Sequence, residues 1–199
     1  MHGEVKHFTE YVKSQFPEFF NNYKFVLDVG AADINGNNIH LFDKCVYLSN
    51  DVVSSRNVTI VSETHNLPFT DASFDTIIST ECFEHDMNYK KSFKKIMKLL
   101  KPGGLFTFTC ATTDRAEHGT LRTTPTDSMT CFYEDVPEWA NYYKNLTSDD
   151  VIEAFGDDNM DQFSNYEFYT NDKSHDLYFW GIKKPGREEA VVKEKYHPL

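Results

Sequence analysis

VLDVGAADINGNN, residues 26–38, places an apolar run of strand character directly before the small residues Gly30, Ala31 and Ala32. A tight turn at the C-terminal end of a strand needs small residues where backbone passes close to a ligand or to another segment. Such a turn also serves as plain packing in α/β folds, so function has to be read from its surroundings. Working outward, FVLDV (25–29), CVYLS (45–49), VTIVS (58–62), FDTIIST (74–80) and LFTFTC (105–110) are short runs rich in β-branched and aromatic residues. That is the pattern of strands buried on both faces. A helix is predicted from Asn88 to Leu100, with Phe93, Ile96, Met97 and Leu100 on one side and Lys-Pro-Gly-Gly at 101–104 as its stop. Near the start, Val5, Phe8, Val12 and Phe16 recur at helical spacing until Pro17, which predicts an amphipathic helix within residues 1–20.

Strands alternating with helices imply an α/β, Rossmann-like, doubly wound fold around a mostly parallel sheet. Further on, Thr147 and Asp150 predict a capped helix through Phe155. The alternating runs FSNYEFYT (163–170) and DLYFWGI (176–182), joined by a short turn, predict an antiparallel hairpin at the sheet edge. Residues 111–145 show no period and are expected to form a substrate lid. A single domain over 1–184 and a loosely held charged tail over 185–199 complete the expected organisation.

Composition narrows the function. Against 20 Lys and Arg stand 31 Asp and Glu, a net charge of -11, which repels nucleic acid and anionic membrane surfaces. The apolar runs are too short and interrupted for a bilayer span, and the N-terminal stretch lacks the apolar core of a secretory signal. Four widely spaced cysteines without a CxxC pair fit a reducing cytoplasm. Lys90, Lys91, Lys94, Lys95, Lys98 and Lys101 fall opposite the apolar side of their helix and read as a solvated face.

Three acidic features share the order of the strands. Asp51 follows the second strand about twenty residues after the turn, where an acidic side chain takes ribose hydroxyls in such folds. Glu63 closes the third strand, and LPFTDASFDTIIST (67–80) leads through the fourth into the cluster Glu81 to Asp86. With KPGG, this combination resembles class I S-adenosylmethionine (SAM) dependent methyltransferases over residues 24 to 182. The resemblance implies a seven-stranded sheet with an antiparallel last strand, and SAM as cofactor. It implies that Asp28, Gly30, Ala31 and Ala32 pass the methionine end and that Asp51 holds the ribose. Glu63 and Thr64 would then face the adenine, and Thr80 the methionine end. Two of the family's usual glycines are replaced here, by Ala32 and near Ile34. NAD is the rival on this topology, but its pyrophosphate wants a helix N-terminus, and the sequence offers Asp33 and a poor helix start. A sulfonium cation suits Asp28, Asp51 and Glu63 better.

For the acceptor, CATTDRAEHGTLRTTP (110–125) and Tyr142 to Thr147 resemble stretches of small sugar and glycan O-methyltransferases, including some encoded by large algal viruses. This narrower resemblance implies methyl transfer to a sugar hydroxyl, with rhamnose or another deoxysugar of a glycan as the expected acceptor, in a host cytoplasm. The alternatives are another small-molecule O- or N-methyltransferase, or a non-catalytic adaptor on the same fold. A hydroxyl acceptor needs a base, and His118 is the first candidate, with Glu81 and His85 on the opposite wall. Arg115, Arg122, Tyr133, Trp139, Tyr142 and Tyr143 are the candidate acceptor contacts, although core filling accounts equally well for the aromatics. Were Mg²⁺ to orient adjacent hydroxyls, Glu81, Asp86 and Asp114 would supply its oxygens, but no dense acidic motif demands a metal.

Overall fold

β1 (Phe25–Val29), β2 (Val46–Asp51), β3 (Ile60–Val61), β4 (Phe74–Thr80), β5 (Leu100–Ala111), β6 (Phe163–Asn171) and β7 (Asp176–Lys183) form one sheet in the order β3-β2-β1-β4-β5-β7-β6. The computed structural model describes residues 2–134, 137–156 and 159–186, so all of the expected tail beyond residue 186 lies outside the described residues. Strands β1 to β5 pair in parallel, and β7 runs antiparallel to both β5 and β6. This is the Rossmann-like arrangement expected from the sequence. No helix among the described residues is long and apolar enough to cross a membrane.

The two-residue period of the strands divides the core. Leu27, Val29, Ile77, Phe106, Phe108 and Phe179 point to one face, where they pack under α2 (Tyr89–Leu99) and α3 (Ser148–Ala154). Their neighbours Val26, Ile78, Leu105, Tyr178 and Trp180 point to the other, against Val5, Phe8 and Val12 of α1 (Gly3–Gln15). Phe93 is fully buried and meets the rings of Phe83, Phe106, Phe108 and Phe155, so it ties α2 to the sheet and to α3. The capping box at Thr147 and Asp150 is formed as the sequence predicts.

Two local expectations differ from the structure, the length of the third strand and the role of Lys-Pro-Gly-Gly. The third strand shrinks to Ile60–Val61, because Thr59 is bound back to Ser49 by backbone and side-chain hydrogen bonds. Lys-Pro-Gly-Gly does not separate helix from strand, since β5 already starts at Leu100 and absorbs these residues in a register shift opposite Phe74 and Thr76. Asn88 precedes α2 without capping it, and its side chain donates to Glu63 instead. Between β1 and β2 the crossover holds only the short helical turn Ile39–Leu41, which leaves the end of β1 uncovered.

The strand order reverses between β1 and β4, and ligands of such sheets sit at that switch point. There the two strand ends almost touch. Gly30 has φ +69°, and a Cβ on it would lie 2.2 Å from Cys82 Sγ and 2.5 Å from Cys82 Cβ. Gly30→Ala should therefore combine left-handed strain with overpacking and cost about 2 to 5 kcal/mol. Urea unfolding would show this as a lower midpoint at an unchanged slope, and a midpoint like that of the native chain would refute the close approach.

Candidate active site

A cleft opens over the C-terminal ends of β1, β2 and β4. Its floor is the turn Gly30 to Ala32, and Asp28, Asp51, Glu81 and Asp86 line it together with Asn38, Asn50, Thr64, Thr80, Cys82 and His85. Across from them stand Asp127, Ser128, Met129, Thr130 and Trp139 from the segment after β5. Among the described residues no lysine or arginine lines this cleft.

Each carboxylate has a local reason for its place. Asp28 is buried at the end of β1, where it accepts hydrogen bonds from the hydroxyl of Tyr47 and from Asn38 Nδ2 at 3.1 and 3.2 Å. Burial pushes its carboxyl up to about 7, against the opposing effect of those bonds. Asp51 ends β2, accepts from the backbone N–H of Ala32 at 3.2 Å and is pushed up to about 6 by burial. Glu81 holds the left-handed conformation at φ 53°, rare outside glycine and a strain typical of functional sites. The hydroxyl of Thr109 donates to it at 2.8 Å.

Several predicted site residues stand elsewhere. Glu63 does not face the cleft, because Asn88 Nδ2 binds its carboxylate at 3.1 Å and His65 Nδ1 lies 3.3 Å from it. Thr64 lines the cleft in its stead. His118 is also outside the cleft, with its ring 5.2 Å from that of His85 and 5.1 Å from that of Tyr143. Arg115 is bound to Ser174 and Asp176, and Arg122 to Glu117 and Asn141, so neither guanidinium reaches the cleft. Trp139 lines the same cleft as Gly30 and Asp51, and Tyr133 packs edge-on against it while donating to Glu63. These two aromatics therefore close the cleft that holds Gly30 and Asp51, away from His118. Tyr143 stands beside His85 and His118, with Tyr142 adjoining and bonded by its backbone N–H to Trp139. The carboxylates Glu81, Asp86 and Asp114 are not brought together: Asp86 is occupied by Ser92 and the backbone of Asn88, and Asp114 is exposed.

Some participants were missed by the sequence reading. Asn38 and Asn50 are buried, and in each the amide oxygen lining this wall has no partner. His2, at the start of α1, lies 3.1 Å from Asp176 Oδ2 and 3.6 Å from Glu81 Oε2, and these acids raise its imidazole to about 10. No local signal marks such residues, because only the tertiary fold makes them neighbours.

Residues 16–108 match the methyltransferase domain family. That stretch is just under half of the chain. The matched stretch holds the turn after β1, Asp51 and the loop after β4, while the segment after β5 and the edge hairpin fall outside it. No curated protein sequence matches the chain. Among solved structures, the 1,6-didemethyltoxoflavin-N1-methyltransferase of Burkholderia thailandensis, holding its substrate and S-adenosylhomocysteine, aligns at 16% identity and TM-score 0.59 over 88% of this chain and 76% of that one. A SAM-dependent methyltransferase of Aquifex aeolicus aligns at 14% identity and TM-score 0.53 over 86% and 88% of the two chains. Phosphoethanolamine N-methyltransferase 2 of Haemonchus contortus aligns at 15% identity and TM-score 0.55, with 88% of this chain covered. The chain spans only 53% of that protein. At these identities the likeness is one of fold.

The buried acids of this domain set a test of stability. Asp51 has a folded value near 6 against 3.8 for a free carboxyl, so its contribution is intact below about pH 4 and is lost as pH rises through 6. Asp51→Asn should therefore stabilise the ligand-free protein at about pH 7.5 by on the order of 1 to 3 kcal/mol and leave it nearly unchanged at about pH 4. Equal thermal unfolding of the two proteins at both pH values would show that Asp51 carries no such burden.

Proposed function

We propose that this protein transfers a methyl group from SAM to a hydroxyl of a small neutral acceptor, a sugar hydroxyl being the reading carried forward from the sequence. The observation that carries it is the chemistry of the cleft at the switch point: five carboxylates and two unpartnered amide oxygens, with no lysine or arginine on the lining among the described residues. Such a donor-poor, acidic wall suits a cationic ligand rich in N–H and O–H groups and repels a pyrophosphate. When bound, SAM supplies a methyl group on a sulfonium centre and leaves as the neutral thioether.

Asp51 and Asn50 would accept from ribose hydroxyls, Asp28 and Asn38 would face the cationic end, and Thr64 and Trp139 would flank the base. The approach of Cys82 to Gly30 narrows the cleft there and bars a side chain from the turn. Catalysis is then mostly a matter of holding acceptor oxygen, methyl carbon and sulfur in line. The acceptor proton leaves on the side of His85, which is the histidine that lines the cleft, with His118 and Tyr143 behind it. Burial lowers His85 to about 3, so its ring is neutral near pH 7 but a weak base by itself. A phosphorylated acceptor fits poorly, since Arg115 and Arg122 are engaged in the fold and the chain carries -11. The sugar assignment draws its support from this neutral-acceptor preference and from the resemblance of residues 110–125 and 142–147.

Calorimetry should show SAM and S-adenosylhomocysteine binding, and NAD binding weakly or not at all. Because ionised Asp51 accepts stronger, charge-assisted hydrogen bonds from the ribose, affinity should rise with pH through about 6 and level off. Asp51→Asn should lose about 1.5 to 3 kcal/mol of binding and flatten that dependence. Tighter binding of NAD than of SAM would overturn the cofactor assignment.

Mass spectrometry of neutral mono- and oligosaccharides incubated with SAM and the protein tests the acceptor. One added methyl mass on a sugar is expected, and none on a phosphorylated amine. Methylation of the phosphorylated amine alone would overturn the neutral-acceptor reading.

A further inference from the structure

Glu84 is the least satisfied charged group among the described residues. It sits in the short helical turn Phe83–His85 after β4, is 0% exposed, and neither carboxylate oxygen has a hydrogen-bond partner. The backbone amides of Glu84 and Ala111 face the carboxyl without closing a hydrogen bond, and burial together with the charge of Glu81 pushes it well up. An unpaired carboxylate in such a place costs several kcal/mol. Among the described residues, no arginine or lysine pairs with it.

Two imidazoles surround it. His118 Nε2 lies 4.0 Å from Glu84 Oε1, while His118 Nδ1 is 3.1 Å from the carbonyl oxygen of Ala116. A carbonyl only accepts, so Nδ1 carries the proton and Nε2 turns a lone pair toward Glu84. Such a carbonyl contact on the far nitrogen is how metal-ligating histidines are held. His85 is buried, its Nδ1 has no partner, and its ring is kept neutral. One donor atom from each of Glu84, His85 and His118 lies within 4.8 Å of the others. An ion with bonds of about 2.1 Å holds its ligands about 3.0 to 3.4 Å apart, so the widest separation need close by at most about 1.4 to 1.8 Å.

We propose that Glu84, His85 and His118 bind one divalent cation of the zinc, manganese or iron type at the edge of the cleft. Two imidazoles and one carboxylate favour these ions over Ca²⁺ or Mg²⁺, which prefer oxygen. The side chain of His118 is 21% exposed, so the cluster borders solvent on that side, and water or an acceptor hydroxyl could complete the ion's coordination. In methyl transfer the cation orients the acceptor oxygen and lowers its pKa, which supplies the activation that neutral His85 lacks. That catalytic role rests on the methyl-transfer reading, whereas the binding of the ion does not. The site also joins two segments, because His118 comes from the lid, which already touches the turn through Lys144 N–H to Glu84 O and through Gly119 packed on His85.

The test uses the full chain stripped with EDTA and returned to metal-free buffer. Titration with Co²⁺ followed by visible absorption, and with Zn²⁺ and Mn²⁺ by calorimetry, should give one equivalent bound and a higher melting temperature. Glu84→Gln, which keeps the shape without the charge, and His118→Ala should each weaken the ion by at least about tenfold while leaving SAM affinity unchanged. Absence of binding to the wild-type chain, or undiminished binding in both variants, would overturn the proposal. Should the ion bind while SAM does not, the methyl-transfer reading fails and the metal site stands. Should SAM bind and methyl transfer proceed undiminished in EDTA with no ion retained, the metal proposal alone fails.

Discussion

Where the turn after β1 meets the loop after β4, Gly30 and Cys82 are packed so closely that no further carbon fits between them. That contact holds the ends of the two strands at the switch point in a single geometry, and the cleft is the space left around it. On one side it directs Asp28 and Asn38 into the wall, and on the other it sets the path of Glu81 to Asp86. The left-handed Glu81 belongs to the same constraint, since the chain must turn sharply there to bring Cys82 onto Gly30. A glycine at this turn is thus required by the protein's own packing, whatever ligand passes over it.

Around this pinned point the protein buries more negative charge than folding alone would favour. Desolvation raises Asp28, Asp51 and Asp86 into the range about 6 to 7, and it pushes Glu84 well up as well. Each ionised carboxylate there weakens the ligand-free fold, and each becomes favourable when a positive ligand or a hydroxyl donor arrives. Stability comes from elsewhere: the phenylalanine cluster about Phe93 and Phe179 under α2 and α3, and the apolar seam that α1 lays across the opposite face of the sheet.

The segment after β5 has two duties. Asp127 to Thr130 and Trp139 close one wall of the cleft, whereas His118 and Tyr143 stand against His85. Gly119 permits this contact, because a Cβ there would meet His85 Cε1 at 2.6 Å.

The amino-acid sequence alone determined the sheet and many of the residues that line the cleft. The ends of β1 and β4, the edge hairpin and the capping box were legible in it, because each rests on residues adjacent in the chain. Asp51 and Thr64 were legible for the same reason, since they follow strand ends at spacings that the topology imposes. What the tertiary structure decided was direction and company. Glu63 follows β3 as expected, yet Asn88 and His65 draw its carboxylate from the cleft. Arg115 and Arg122 lie in the lid, yet each is neutralised by an acid of its own. The meeting of Glu84, His85 and His118 depends on a lid that returns to the loop after β4 from more than thirty residues away in the chain. Strand and cap signals are local because backbone hydrogen bonding and burial periodicity are local. Which side chain meets which partner is decided by long-range packing, and a linear spacing carries no record of it.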